Sequence, residues 1–219
     1  MNRDISSVRH DYSGDILDVE DTPATPFPLF DKWIQAALAN DPEDANTMTL
    51  ATVDAKGLPH ARIVLLKGFD ENGLRFFTNY HSHKGEQLAA SRRAALVFWW
   101  PGLARQVRIE GDVEKVSADI SEQYFHSRPR ESQLGAIASP QSQTIESRQW
   151  LLDHYQHVTR QHESKDIERP AHWGGYQVVP ALFEFWQGQP GRIHDRLRYT
   201  KKDISGSDHV QWQKVRLAP

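Results

Sequence analysis

The sequence predicts an α+β protein with a mostly antiparallel sheet curled into a small barrel. Three observations predict it. The elements read in the order helix, five strands, helices, strands. The early strands are short and closed by tight-turn signals, Asp54-Ala55-Lys56-Gly57 and Asp70-Glu71-Asn72-Gly73. Finally, Arg105, Val107, Ile109, Gly111 and Val113 alternate with Gln106, Arg108, Glu110, Asp112 and Glu114. Such a period of two means one buried and one polar face. No GxGxxG occurs, so there is no dinucleotide fingerprint.

Residues 1–27 carry Asp, Ser, Pro and Gly without periodicity and read as a mobile arm before a single domain, 28–219. After Pro26 and Pro28, Leu29, Trp33, Ala36 and Ala37 recur at helical spacing. Strands follow over 47–53, 61–69 and 74–78, then a short helix over 83–91. Residues 95–100 are apolar almost throughout and are expected to be a strand buried on both faces. The stretch 117–161 reads as helical: 118–125 and 133–138 flank a break at Pro129, and 144–161 is longer. Strands return over 176–186, 193–199 and 210–217.

With 38% hydrophobic and 25% charged residues the composition is that of a globular protein, and 219 residues suffice for a buried core. A net charge of −3 argues against a general nucleic-acid binder, so any anion site needs local clustering of Arg and Lys. The absence of cysteine excludes disulfides, thiolate metal sites and a Cys nucleophile. Residues 1–21 do not read as a secretory signal, and no run approaches the roughly 18 apolar residues of a membrane span. A cytoplasmic protein without membrane association is expected.

Four segments could carry chemistry. In Arg192-Ile193-His194-Asp195-Arg196, an extended chain would project Arg192, His194 and Arg196 from one face, where an anion or polar ligand would relieve their repulsion. The same triplet also fits a solvated strand edge, but Phe183-Glu184-Phe185-Trp186-Gln187-Gly188 just before it could wall a flat ring. In Tyr124-Phe125-His126-Ser127-Arg128-Pro129-Arg130-Glu131-Ser132, Pro129 suits the first helical position. Ser132 then lies in the first turn, where free N–H groups favour a phosphate, and Arg128 precedes it. A capped helix with surface arginines fits that stretch as well. In Arg62-Ile63-Val64-Leu65-Leu66-Lys67 the two cations face opposite ways on a regular strand, serving two ligands unless a bulge re-aims one or both merely snorkel. Phe77-Thr78-Asn79-Tyr80-His81-Ser82-His83-Lys84 runs from a strand into a helix and offers hydroxyls, N–H groups and a lysine. His81 and His83 are poorly spaced for one metal and lack a third ligand; His154, His157 and His162 read as solvated, and no metal is expected. These residues point to phosphorylated aromatic ligands without naming them.

At these segments the sequence resembles the pyridoxamine 5′-phosphate oxidase family. The resemblance is carried by RIVLLK at 62–67, FFTN at 76–79, RQV at 105–107, YFHSRPRESQLGA at 124–136 and QS at 141–142. It continues through HWGGY at 172–176, EFWQG at 184–188, RIHDR at 192–196 and the terminal VRLAP. The resemblance implies an FMN-binding split barrel acting as a homodimer, with flavin at the subunit interface. Pyridoxamine 5′-phosphate and pyridoxine 5′-phosphate would be oxidised to pyridoxal 5′-phosphate in vitamin B6 biosynthesis, with dioxygen reduced to hydrogen peroxide.

By position, the resemblance assigns Arg62, Ile63, Val64, Leu65, Leu66, Lys67, Phe77, Thr78, His83, Lys84, Gln106, Gln141, Ser142, Trp186 and Arg196 to the flavin. Lys67, Tyr124, Arg128 and Ser132 become the substrate-phosphate clamp. Arg192 and His194 become the catalytic pair at the pyridine ring, and Arg9 and Tyr12 match a segment that closes over the substrate. His83 departs from the pattern, standing where an Arg is usual; a neutral imidazole there would weaken the flavin-phosphate site. Two other readings carry different chemistry: a phenazine-type flavin oxidase, and a pyridoxal 5′-phosphate or FMN binding protein without turnover.

Overall fold

The computed structural model describes residues 3–8, 10–163, 165–202 and 210–219. Among them lie five α-helices, α1 (Pro26–Asn40), α2 (His83–Ser91), α3 (Ala118–Ser127), α4 (Arg130–Ala138) and α5 (Arg148–Gln161). The nine strands are β1 (Thr47–Val53), β2 (Pro59–Leu65), β3 (Gly68–Asp70), β4 (Gly73–Asn79), β5 (Arg93–Trp100), β6 (Arg105–Lys115), β7 (Trp173–Gln187), β8 (Asp195–Lys202) and β9 (Gln211–Leu217). Strand neighbours run β2-β1-β5-β6-β7-β4-β3, with β8 on β7 and β9 on β8. The β3–β4, β4–β7, β7–β8 and β8–β9 pairs are antiparallel.

The chain divides into two compact units. The first comprises Met1–Thr49, Ala95–Glu110 and Pro180–Pro219. Its helix α1 buries Leu29, Phe30, Trp33, Ile34 and Ala37, the stripe expected of an amphipathic helix. Phe30 meets Phe98 at 5.3 Å between ring centroids, and Trp33 meets Phe185 edge-on at 5.2 Å. Part of the segment whose composition suggests a mobile arm is tied to this unit. Lys214 Nζ donates to the Val19 and Thr22 carbonyls at 2.8 Å each, and Tyr199 donates to the Pro23 carbonyl at 2.9 Å. Periodicity does not register such anchors, because the partners lie near the other end of the chain.

The second unit comprises Leu50–Ala94 and Gly111–Val179. Phe125, Leu134, Ala138, Val158, Ile167 and Trp173 form its helical core. Serine caps begin three of its helices: Ser82, Ser117 and Ser147 accept from the Gly85, Ile120 and Trp150 N–H groups. In the β4–β7 ladder Phe77 lies opposite Gly175 and Asn79 opposite Trp173.

Several sequence expectations change. The strand expected over 61–69 breaks: β2 ends at Leu65, Leu66 turns inward, and the Lys67 N–H donates to the Arg75 carbonyl at 2.8 Å. β5 buries one face, not two; Leu96, Phe98 and Trp100 are inside while Trp99 is 44% exposed. An apolar run cannot reveal which face a tyrosine or tryptophan will cover. α5 begins at Arg148, not 144, because Ser147 is its cap. Pro129 is the cap of α4 with an extended ψ of 143°, so Arg130 is the first helical residue. Most consequentially, Pro190–Arg192 form a 3-10 turn in which Gly191 and Arg192 have φ of 63° and 62°. β8 starts at Asp195, so Arg192, His194 and Arg196 do not project from one strand face.

Candidate active site

The second unit holds a cavity of about 470 Å³, within the range of small-ligand sites. Its apolar side is Ile63, Val64 and Leu65 of β2, with Ile63 62% exposed. Its floor is aromatic. Phe77 stacks on Tyr124 at 3.9 Å and lies nearly parallel to Trp173 at 5.8 Å. The strand opposite must be glycine to permit this: a Cβ on Gly175 would lie 2.8 Å from the Phe77 ring and 2.7 Å from Val116.

Arg128 lies over the Trp173 ring, 4.5 Å from its centroid. Its Nη1 is buried and has no hydrogen-bond partner. Burial lowers the guanidinium pKa from its ordinary value, with Tyr124 opposing. Burial likewise raises that of Tyr124, with Arg128 opposing. A buried donor left unmet is costly, and an anion entering the cavity would relieve it.

A second cationic group sits at the start of α2. Lys84 Nζ donates to Thr78 Oγ1 and Gln141 Oε1 at 3.2 Å each and to Ser82 Oγ at 3.4 Å, all neutral oxygens. Arg62 donates to Thr52 Oγ1 at 2.6 Å, Gln87 Oε1 at 3.0 Å and the Leu50 carbonyl at 3.1 Å. Burial lowers the Lys84 pKa, and the Arg62 charge lowers it further. Among the described residues the ion pairs fall on other side chains, so Arg62, Lys67, Lys84 and Arg128 stand without a carboxylate. Cations held this way beside a helix N-terminus suit phosphate.

The first unit gathers a separate aromatic cluster. Tyr12 lies edge-on to Trp186 at 5.5 Å, to His194 at 5.8 Å and to Trp99 at 6.3 Å. His194 Nδ1 accepts from the Gln189 N–H at 3.1 Å. Arg196 is committed to the buried Glu184 carboxylate through Nε at 3.0 Å and Nη2 at 2.8 Å, and to the Ala218 carbonyl at 2.8 Å.

The pyridoxamine 5′-phosphate oxidase family model matches residues 34–162, and the pyridoxine 5′-phosphate oxidase C-terminal dimerisation region matches 173–219. The chain belongs to the pyridoxamine 5′-phosphate oxidase family. As a member it is an oxidoreductase, and its fold is the family's split β-barrel. The pyridoxine/pyridoxamine 5′-phosphate oxidase of Chromohalobacter salexigens is 55% identical over 219 residues, all of both chains. The enzyme of the same name from Paraburkholderia phytofirmans is 51% identical, covering 98% of this chain and 99% of its own. Among solved structures, PhzG from Burkholderia lata, in complex with tetrahydrophenazine-1-carboxylic acid, has a TM-score of 0.85 at 25% identity; the match covers 94% of this chain and all of that one. A pyridoxamine 5′-phosphate oxidase-related, FMN binding protein from Nostoc punctiforme shares the fold, with a TM-score of 0.69 at 20% identity, 90% of this chain and all of that one.

Of the positions that the family resemblance singles out, Ile63, Val64, Leu65, Lys67, Phe77, Thr78, Lys84, Tyr124, Arg128, Ser132 and Gln141 line this same cavity in the second unit. Leu66 is in the core, and Arg62 reaches the Lys84 region through Thr52 and Gln87 without lining the cavity. His83 is exposed and does not line it. Ser142, also outside the lining, has a left-handed φ of 73° just after Gln141. In the first unit Tyr12, Trp186 and His194 come together, Gln106 is half-buried in β6, and Arg192 is exposed on its turn. Arg9 lies outside the described residues. Sequence reasoning missed Trp173 as a site residue, although it sits within the HWGGY motif; a Trp before two glycines is the signal that was there to read. Asn79, Gly135, Ala136 and Ser139 also line the cavity without having been singled out.

Proposed function

We propose that this protein oxidises pyridoxamine 5′-phosphate and pyridoxine 5′-phosphate to pyridoxal 5′-phosphate with FMN and dioxygen, releasing hydrogen peroxide. The observation that carries the reading is Arg128: a cation with a buried, unmet Nη1 over an aromatic floor, in a cavity with no opposing carboxylate among the described residues. A phosphorylated aromatic ring supplies what that arrangement lacks.

The residues fit FMN as well. Lys84, Thr78 and Gln141 form a phosphate cradle of neutral oxygens and one cation, and Ile63 and Leu65 offer an open apolar bed for a ring. When bound, FMN supplies acceptance of the hydride equivalent from the substrate's exocyclic carbon and reoxidation by dioxygen. The chain's own part is binding and orientation. Lys67, Tyr124, Arg128 and Ser132 hold the substrate phosphate; the half-buried phenol of Tyr124 remains protonated and donates a hydrogen bond. Arg192 orients the pyridine ring and assists proton removal, and His194 hydrogen-bonds the ring substituents. The match to the C-terminal dimerisation region supports a homodimer.

The test takes the purified protein, records its visible spectrum, and adds pyridoxine 5′-phosphate in air while aldehyde and peroxide are followed. Yellow protein forming both products is the expected outcome. Yellow protein forming neither would refute the substrate assignment and favour a carboxylated polycycle of the kind bound by the phenazine relative. Protein that stays colourless and inert with added FMN would refute the oxidase reading altogether.

A further inference from the structure

We propose that Asp195 is a positioning residue that ties the N-terminal segment bearing Tyr12 to the ring of His194, without itself touching the substrate. The inference rests on the reading of His194 as a substrate contact. Asp195 opens β8, and its side chain is only 16% exposed. Its carboxylate accepts three hydrogen bonds. Oδ2 takes the Leu17 N–H at 3.2 Å and Gln189 Nε2 at 2.9 Å, and Oδ1 takes Arg216 Nη1 at 2.6 Å. Burial works against ionisation, but the bonds from Leu17, Arg216 and Gln189 outweigh it and hold the pKa below the ordinary carboxylate value.

Each donor leads somewhere. Arg216 Nη2 continues to the Leu17 carbonyl at 3.0 Å, so Asp195 and Arg216 together take both backbone polar groups of Leu17. The Leu17 side chain is buried beside them. Gln189 Nε2 also donates to the Asp15 carbonyl at 2.9 Å, gripping the same segment two residues earlier. Asp15 in turn pairs with Arg105 at 3.3 Å. Between this grip and Tyr12 lies Gly14, where a Cβ would stand 2.0 Å from Gln187 Nε2. The segment is thus seated closely enough to carry Tyr12 against His194 and Trp186.

The other branch reaches the ring. The backbone N–H of Gln189, whose side chain Asp195 holds, donates to His194 Nδ1. Nδ1 therefore carries no proton, and the neutral ring bears its proton on Nε2. His194 is set as a hydrogen-bond donor through Nε2, suited to a substrate oxygen. Only a carboxylate serves both branches. An amide at 195 turns one oxygen into a donor, which then faces either Arg216 or the Leu17 and Gln189 donors.

The test compares Asp195→Asn with the parent holoenzyme in turnover of pyridoxine 5′-phosphate and in amide hydrogen exchange. The expected result is a fall in kcat/KM of about tenfold to a hundredfold, the loss of a hydrogen bond to a charged group, with flavin content unchanged. Exchange over residues 12–18 should rise at least about tenfold while β8 and β9 keep their protection. In a His194→Ala background the same substitution should cost less than about threefold, because the two act as one unit. Full multiplication of the two effects, or unchanged exchange over 12–18, overturns the proposal. Should Asp195→Asn fail to fold, Arg216→Leu removes the donors to Oδ1 and to the Leu17 carbonyl and is judged by the same readouts. An inactive parent would refute the oxidase reading, while the exchange data would still decide whether Asp195 seats the segment.

Discussion

Replacing Arg128 with methionine should move binding and stability in opposite directions. The substitution keeps the volume of the side chain over Trp173 and removes the charge. Hydrogen bonds from a charged group contribute about 1.5–3 kcal/mol each. Two lost contacts to a substrate phosphate, partly offset by Lys67, Tyr124 and Ser132, amount to about 3 kcal/mol, a rise in KM of about a hundredfold. Without ligand the balance reverses. The buried Nη1 has no partner, and an unmet buried donor costs about 1–3 kcal/mol. The lost contact with the Trp173 face takes back about 0.5–1 kcal/mol. The ligand-free variant should therefore gain about 1 kcal/mol, or about 2–4 °C in Tm for a chain of this size. Steady-state kinetics with pyridoxine 5′-phosphate and a thermal melt of phosphate-free protein measure the two halves. A KM within threefold of the parent would refute the phosphate assignment, and a lower Tm would refute the claim that the cation is unmet. Loss of bound flavin instead would mean that the division between the two phosphate sites is wrong.

Lys84→Met should weaken FMN binding by about 30- to 100-fold, from the loss of about 2–3 kcal/mol of charge-assisted contact, whereas His83→Ala, at an exposed position outside the cavity, should change it by less than about threefold; flavin retention on dialysis reads both. Gly175→Ala should cost about 1–3 kcal/mol and raise substrate KM, since the added Cβ strikes the Phe77 ring and Val116, and chemical denaturation with parallel kinetics checks this. Burial raises the Tyr176 pKa from 10.0 to about 12. The folded state then holds a proton that the unfolded state has lost, so the stability contribution is complete below about pH 10 and is lost as the pH rises from about 10 to about 12; urea titrations at stepped pH should show that fall, and Tyr176→Phe should flatten it.

Local rules carried much of the fold. The alternation from Arg105 to Glu114 is β6, the amphipathic stripe at Leu29, Trp33 and Ala37 is α1, and the Asp54-Ala55-Lys56-Gly57 turn separates β1 from β2. Failures came where tertiary partners decide. Nothing local says that Leu66 turns inward and divides a strand, or that Trp99 faces out of an apolar run. The 3-10 turn at Pro190–Arg192 was hidden because Gly191 and Arg192 adopt left-handed backbone in a segment whose side chains suggested an extended face. In the site, Arg128, Tyr124 and Ser132 could be read from one stretch, but the floor beneath Arg128 comes from a strand some forty-five positions later, so Trp173 escaped.

The unmatched cations connect stability to function. The chain has 29 acidic residues against 26 basic ones, yet none of the acids pairs with Arg62, Lys67, Lys84 or Arg128 among the described residues. Several other arginines do have a carboxylate, among them Arg196 with Glu184, Arg169 with Glu122 and Arg216 with Asp195, whereas Arg198 Nε, like Arg128 Nη1, is buried without a partner. A carboxylate in the cavity would offset the desolvation of Lys84 and Arg128 and close the site to phosphate. Leaving it out costs the ligand-free fold a few kcal/mol, on the scale of one or two unmet charged donors. A ligand at a hundred times its Kd returns about 2.7 kcal/mol. The two quantities are of the same size, so the cavity's lack of counter-charge makes the folded protein depend on the anions it binds, and stability should follow phosphate ligand concentration in the parent but much less in Arg128→Met.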